Sequence, residues 1–202
     1  MKSINNYIFE KLNIKDIKRQ HKYFPKTKNE LTKILKERLK EDKDADLNDI
    51  DVSKITNMNG LFAYLDPHNI DISEWNVSNV TNMGFMFTDC SNFTADLSKW
   101  DVSNVTDMRD MFDGCKKFNS DLSNWDVSNV TDLKYMFLRC KEFNSDLSKW
   151  NVSNVKEITS MFAGCKNFNY DLSKCDVSNV NNMKYMFYNC DSLKNKPSWY
   201  KE

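Results

Sequence analysis

Apolar side chains return along this chain at one fixed interval. Val52, Val77, Val102, Val127, Val152 and Val177 stand 25 residues apart, and Ile55, Val80, Val105, Val130, Val155 and Val180 keep the same spacing beside them. A third column is Met58, Met83, Met108, Leu133, Ile158 and Met183; a fourth is Leu61, Met86, Met111, Met136, Met161 and Met186, each followed at once by a Phe. Trp75, Trp100, Trp125 and Trp150 obey the same period, as do Cys90, Cys115, Cys140, Cys165 and Cys190. The positions between these columns are mostly Ser, Asn, Asp, Thr and Lys. A period of this size marks a repeat array. Each unit is too small to bury its own apolar face, so it must stack on its neighbours.

Spacing within a unit predicts its local structure. In D-L-S-N-W-D-V, the residues Leu122, Trp125 and Val127 end in a period-2 alternation with β-branched character, which reads as a short strand. In V-T-D-L-K-Y-M-F, the residues Val130, Leu133, Met136 and Phe137 lie at i, i+3, i+6 and i+7, a helical stripe that Thr131 or Asn129 is placed to cap. Stacked strands would form one parallel sheet with neighbours about 4.8 Å apart. The expected fold is therefore an α/β repeat solenoid, with one short parallel strand plus a short helix per 25-residue turn and an N-terminal helical cap.

The chain divides on this reading into an N-terminal helical extension (1–24), a capping helix and lead-in (25–50), about six 25-residue repeats (51–196) and a C-terminal tail (197–202). A repeat stack exposes apolar cross-sections at both ends, and these need cover. Thr27 and Glu30 form a capping-box pair ahead of Leu31, Ile34, Leu35 and Leu39, which share one face of a helix ending near Lys40. That helix is the expected N-terminal lid. Before it, Tyr7, Ile8, Leu12, Ile14 and Ile17 predict a second, weaker helix. Lys196 and Pro197 replace the Asp and Leu columns, and Trp199 and Tyr200 are placed to fold over the last turn.

The V-T-x-M-x-x-M-F-x-x-C-x-x-F-x-x-D-L-S-x-W-D-V-S-N units, as in Val105 to Asn129, resemble the BspA-like leucine-rich-repeat surface proteins of bacteria, in a 25-residue variant often filed as a domain of unknown function. The stretch from P-K-T-K-N-E-L to D-I-D-V-S-K-I-T-N-M is similar to the lead-in of such repeats, so the likeness spans about residues 25–196. The resemblance implies a leucine-rich-repeat-like stack, a surface or secreted location, and a role in adhesion and host contact. It brings no catalytic residues.

Composition narrows the functional classes. The 29 basic and 29 acidic side chains cancel, so no overall field draws nucleic acid or membrane. Residues 1–40 nevertheless carry 12 Lys/Arg against 4 Asp/Glu, which reads as the solvated face of the lid, with a nucleic-acid or membrane footprint as the alternative. No apolar run is long enough for a membrane span. With neither a signal peptide nor a lipid-accepting Cys ahead of Cys90, the sequence reads as cytoplasmic, against the surface location that the resemblance implies.

Catalysis finds little support, and the chain is expected not to be an enzyme and to need no cofactor. His21 and His68 are the two histidines, with no evident Ser or Cys partner, and Gly-rich phosphate loops are absent. The Cys column runs as a line rather than converging on a point, so it reads as a ladder of buried thiols rather than a metal or redox site. Cys175 differs, standing in the Trp column. Asn79, Asn104, Asn129, Asn154 and Asn179 read as a buried amide ladder at a corner, and Asp96, Asp121, Asp146 and Asp171 as turn caps rather than calcium ligands.

Recognition is expected at exposed positions that differ between turns. On the expected helix face, Phe85, Tyr135 and Tyr185 put an aromatic on alternate turns beside Arg109, Lys134 and Lys184, and aromatics with Arg are common interface anchors. On the expected strand face, Lys99, Lys149 and Lys174 belong to a flat polar lattice. These nine residues are the candidate binding residues, for a protein partner of a monomeric chain.

Overall fold

The computed structural model describes residues 20–201. The expected weaker helix around Tyr7, Ile8, Leu12, Ile14 and Ile17 lies outside the described residues.

The chain enters its stack through α1, Lys28–Glu41. Thr27 is the N-cap, in extended conformation, and its side-chain oxygen accepts the Glu30 N–H at 3.2 Å. The Glu30 carboxylate reaches back to accept the Lys26 N–H at 2.8 Å, a variant of the capping box displaced by one residue. Leu31, Leu35 and Leu39 recur at every fourth position, so they share one face, and all three are buried in the common apolar cluster. Arg38 and Lys40 sit in the last turn of α1, where positive charge suits the helix dipole. Arg38 also holds the chain that follows, pairing with Asp49 at 3.0 Å and donating to the Asp46 carbonyl at 2.7 Å.

Beyond α1 the expected α/β repeat solenoid, leucine-rich-repeat-like with a strand and a helix per turn, is overturned. Among the described residues α1 is the one helix, and there are no strands. The pairing consists of isolated parallel bridges, five of them joining Asn57, Asn82, Asp107, Asp132, Glu157 and Asn182 in succession. Those bridges lie where the helix was expected. The expected strand at Leu122–Val127 is a pair of tight turns instead, closed by Trp125 N–H to the Leu122 carbonyl at 3.1 Å and Val130 N–H to the Val127 carbonyl at 2.9 Å.

Hydrogen-bond accounting gives the physical reason. A helix would send each N–H to the carbonyl four residues back. Here Leu133, Tyr135, Phe137 and Arg139 donate to Glu157, Thr159, Met161 and Ala163 of the next turn at 2.7–3.0 Å. The intervening Met136, Leu138 and Cys140 donate to carbonyls three residues back, closing β-turns. The residues that permit this course have left-handed backbone: Tyr135 at φ 58° and Arg139 at φ 62°. The same two columns hold Gly60, Phe85, Asp110, Ser160 and Tyr185, and Tyr64, Asp89, Gly114, Gly164 and Asn189, all with positive φ. A left-handed residue every fourth position breaks any right-handed helix.

What stacks is thus a column of turns, each lying on the last with like residue on like. Trp75 and Trp100 are parallel within 3° at 6.4 Å, and Phe87 and Phe112 within 2° at 5.6 Å. A second Phe line, Phe93, Phe118, Phe143 and Phe168, runs beside the first, with Phe112 and Phe118 only 4.1 Å apart. Such ring pairs contribute about 0.5–1.5 kcal/mol each beyond their burial. Polar groups inside the stack are satisfied across turns. The indole N–H of Trp100, Trp125 and Trp150 donates to Ile72, Leu97 and Leu122 at 3.0 Å. Asp126 and Asp146 accept the N–H of the Ser two residues on, at 3.0 and 2.9 Å, which is how the Asp-x-Ser pairs shape their corners. The Asn column bonds backbone as expected, Asn104 to the Ser78 carbonyl at 2.8 Å, yet these amides are exposed rather than buried.

Candidate functional site

The apolar columns and the aromatic lines fix which positions face inward, and one of the two left-handed columns carries the aromatic candidates. Phe85, Tyr135 and Tyr185 occupy it at φ 59°, 58° and 58°, with Asp110 and Ser160 between them. A bulky side chain at positive φ is uncommon and costs on the order of 1–2 kcal/mol. Phe85 is 40% exposed and Tyr185 65% exposed. Tyr135 is half-buried, with the Lys134 ammonium 4.8 Å from its ring centroid. Ser160 is buried.

The cations beside this column have different freedoms. Arg109 is held by the Asp107 carboxylate, at 2.7 Å through Nη2 and 3.0 Å through Nε, with Asp132 at 3.8 Å. Asp107 and Asp132 are bridge residues, so the Arg109 guanidinium braces the stack. Lys184 is exposed, and with Tyr185, Tyr188 and Tyr200 it lines a cleft of about 280 Å³. Tyr185 and Tyr188 meet edge to face at 6.4 Å and 78°. This cleft gathers more exposed aromatic surface than any other expected site residue group: Tyr188 is 61% exposed.

Tyr188 is not among the residues the sequence singles out, whereas Trp199 and Tyr200 fold over the last turn as expected, with ring centroids 6.4 and 5.1 Å from that of Phe187. A signal existed in the residues one after each column Phe: Ala63, Thr88, Asp113, Leu138, Ala163 and Tyr188 change character at every turn. Tyr64, 78% exposed at φ 62°, was also passed over.

Lys99, Lys149 and Lys174 are exposed, each at the third position of the turn that precedes the Trp column. Among the described residues there is no strand face for them to share. Lys149 borders a shallow polar cleft of about 370 Å³ lined by Asn119, Asp121, Asn144, Asp146 and Tyr170, among others. Among the described residues no hydrogen bond or ion pair joins this lysine row to the aromatic column. The structure therefore brings Tyr185 and Lys184 together in one cleft, and leaves the lysine row as a separate surface.

Acidic groups in and beside the two left-handed columns carry the unusual electrostatics. Burial first, and the neighbouring Asp113 carboxylate next, push the Asp110 carboxyl up to about 6. Asp113 is raised too, mainly by burial, and is partly relieved by Arg139, whose Nε and Nη2 reach its two oxygens at 3.0 and 2.9 Å. Arg139 also reaches Asp89, two turns back, at 3.4 Å. Gly114 stands between them in the column, and a Cβ there would lie 2.5 Å from Asp89 Oδ1.

The thiols are built into the stack. Cys115 Sγ lies 3.0 Å from the Phe87 carbonyl and Cys140 Sγ 2.9 Å from that of Phe112. Burial pushes the Cys115, Cys140 and Cys165 thiols well above the usual range and those of Cys90 and Cys190 up to about 12. A thiol so raised is a poor nucleophile. Among the described residues no group of three or more His, Cys, Asp or Glu is placed to hold a metal ion, and no helix is long and apolar enough to cross a membrane.

A family model described as Mycoplasma protein of unknown function, DUF285, matches residues 29–137 and 95–200, which together take in all of α1 but Lys28 and the stack that follows it. No curated protein and no solved structure matches the chain.

Proposed function

This chain belongs to that family of unknown function, and we propose that it is a non-enzymatic protein-interaction module that presents the left-handed aromatic column and its terminal cleft to a protein partner. The observation that carries this reading is the placement of Phe85 and Tyr185, large exposed rings held at positive φ where glycine would relieve the backbone. Gly60 shows that glycine fits the same column. Strain kept at an exposed aromatic is a pointer to recognition, since stability alone would favour its loss. The cleft of Lys184, Tyr185, Tyr188 and Tyr200 gathers amphipathic rings beside an exposed cation, the combination that anchors protein interfaces. Likeness of the 25-residue units to BspA-like surface proteins supports adhesion or host contact as the setting if the chain is exported. An intracellular structural or inhibitory binding protein is the alternative setting, and cell fractionation separates the two.

The test uses Phe85→Gly and Tyr185→Gly in quantitative capture of partners by the immobilised full chain. Both substitutions remove a ring while relaxing the backbone, so thermal stability should hold or rise while retention of the specific partner falls about tenfold or more. Lys99→Glu and Lys149→Glu, on the separate surface, should leave retention unchanged. Partners that ignore both glycine variants and Lys184→Glu, or that respond only to the lysine-row variants, would refute the proposal.

A further inference from the structure

One polar column of the stack changes character at Tyr170. In the turns before it the place is held by Ser120 and Ser145, whose hydroxyl oxygens accept the Leu97 and Leu122 N–H at 2.9 and 2.8 Å and so tie neighbouring turns together. Tyr170 has no such hydroxyl, and the Leu147 N–H, which a Ser there would take, has no acceptor among the described residues. The stack also opens toward this place. Ring centroids along the Phe93 line stand 5.6, 6.0 and 6.3 Å apart on the way to Phe168, whereas the line from Phe87 to Phe162 keeps 5.6 Å throughout.

Tyr170 walls the polar cleft of about 370 Å³ that Lys149 borders. Sites for small molecules span about 300–1,000 Å³. Backbone bonds orient the amides of this cleft: Asn119 Oδ1 accepts the Asn144 N–H at 2.8 Å, and Asn144 Oδ1 accepts the Asn169 N–H at 3.2 Å. With each oxygen so engaged, each Nδ2 is a donor that meets no partner among the described residues. Asp121 and Asp146 supply acceptors, and the N–H groups of Ser123 and Ser148, each at 2.9 Å, hold their carboxyls below the usual range. The Tyr170 ring is half-buried and tilted 56° from that of Phe168. It also walls a second cleft, of about 350 Å³, where Asn169, Asp171, Lys194 and Asn195 repeat the same chemistry.

This lining narrows the ligand. Two carboxylates against one lysine disfavour phosphate and nucleic acid. A protein hot spot wants several apolar anchors, and here Tyr170 alone offers apolar surface. What matches is a small neutral molecule whose hydroxyls both donate and accept, with a C–H face to lie on a ring. We propose that this cleft binds a neutral sugar, a hexopyranose unit of a glycan, its hydroxyls meeting the Asn119 and Asn144 amides and the Asp121 and Asp146 carboxylates and its C–H face meeting Tyr170. The negative face of the phenol ring attracts partly positive C–H groups. The second cleft on the same ring receives the adjoining unit of the chain. Neither cleft shares a residue with the aromatic column or the cleft of Tyr185, so this site and the proposed protein site stand or fall separately.

The test is an NMR titration of the isotopically labelled full chain with D-glucose, D-galactose, D-mannose, N-acetyl-D-glucosamine and the linear α-1,4- and β-1,4-linked glucose tetramers, with D-glucuronate and inorganic phosphate in parallel. At least one neutral sugar should give saturable shifts at the Asn119 and Asn144 side-chain amides and the Leu147 N–H, with a Kd of about 1 mM or tighter. Tyr170→Ser restores the column residue and an acceptor for Leu147, so Tm should hold or rise while affinity falls about tenfold or more. Tyr170→Phe keeps the ring and should bind within about threefold of the parent. No shift of these groups with any neutral sugar up to about 10 mM overturns the proposal. So does a response confined to glucuronate or phosphate, which would make this an anion site, and so does undiminished sugar affinity in Tyr170→Ser.

Discussion

Cys175→Trp should stabilise the protein, although it places the largest side chain where a small one now sits. Cys175 occupies the Trp column, and its N–H still donates to the Leu172 carbonyl at 3.0 Å as the Trp150 N–H does to Leu147. The backbone register is therefore that of the other turns, and only the indole is missing. In its place lies a half-open apolar gap of about 30 Å³ walled by Trp150, Val152, Leu172, Val177 and Trp199, among others. At about 24 cal/mol per Å³, closing that gap contributes about 0.7 kcal/mol. A stacked ring pair with Trp150 adds about 0.5–1.5 kcal/mol. The introduced indole N–H would find the Leu147 carbonyl where Trp150 finds Leu122, at 3.0 Å in the existing pair, for a net of about 1 kcal/mol. Together these give about 2–3 kcal/mol, or a rise in Tm of about 4–13 °C for a chain of this size. Calorimetry measures the rise, and indole N–H exchange reports whether the new bond forms. Because energy in a repeat stack is local, protection should increase mainly in the last two turns. Cys175→Leu serves as the control, gaining the packing alone. A Trp variant less stable than the parent would show that this turn has relaxed around the smaller residue, and equal gains for Trp and Leu would remove the hydrogen bond from the account.

Further expectations follow from individual sites. The Asp110 carboxyl, raised to about 6 by burial and Asp113, binds its proton more tightly folded than unfolded, where its value is near 3.9. Its contribution is therefore full below about pH 4 and lost as pH rises through 6, so Asp110→Asn should gain about 1 kcal/mol on the parent between pH 4 and pH 7, read by urea unfolding at both. Gly114→Ala meets Asp89 Oδ1 at 2.5 Å in addition to its φ of 77°, while Gly60→Ala at φ 61° meets nothing within 4 Å. Denaturation should show the first costing about 2 kcal/mol or more and the second about 1 kcal/mol; equal costs would mean that strain alone governs the column. Thiol labelling of the native chain should reach half-buried Cys175 first and leave Cys115, Cys140 and Cys165 unmodified until unfolding, and rapid modification of any of those three would contradict their burial.

The vertical order of this molecule was legible and its horizontal course was not, and the reason lies in what each kind of signal encodes. Stacking demands that like sit on like, so Trp100 over Trp75 and Cys115 after Cys90 could be read from the period alone. The path within a turn depends on backbone dihedrals, and there the apolar positions misled. Val130, Leu133, Met136 and Phe137 fit a helical stripe, but the spacing of three from Val130 through Leu133 to Met136 fits a run of three-residue corners as well, and Lys134 breaks the spacing of four from Val130. Trp125 and Val127 alternate because each begins or ends a separate turn, with Asp126 between them capping the second. The decisive clue was the column that holds glycine in some turns and Arg139 or Tyr64 in others. Gly114 and Gly164 mark a left-handed position, and the period obliges every residue in that register to adopt it. The same logic governs the site. Phe85 and Tyr185 stand out in the sequence because their column is variable and they are aromatic, whereas the cleft around Tyr188 and Tyr200 depends on where the last turn ends its course, which only the dihedrals of that course determine. In a stack of this kind, then, repeat spacing specifies what lies above and below each residue, while glycine-sharing columns specify where the chain turns, and a bulky residue in a place that glycine would fill at lower cost marks the surface proposed for recognition.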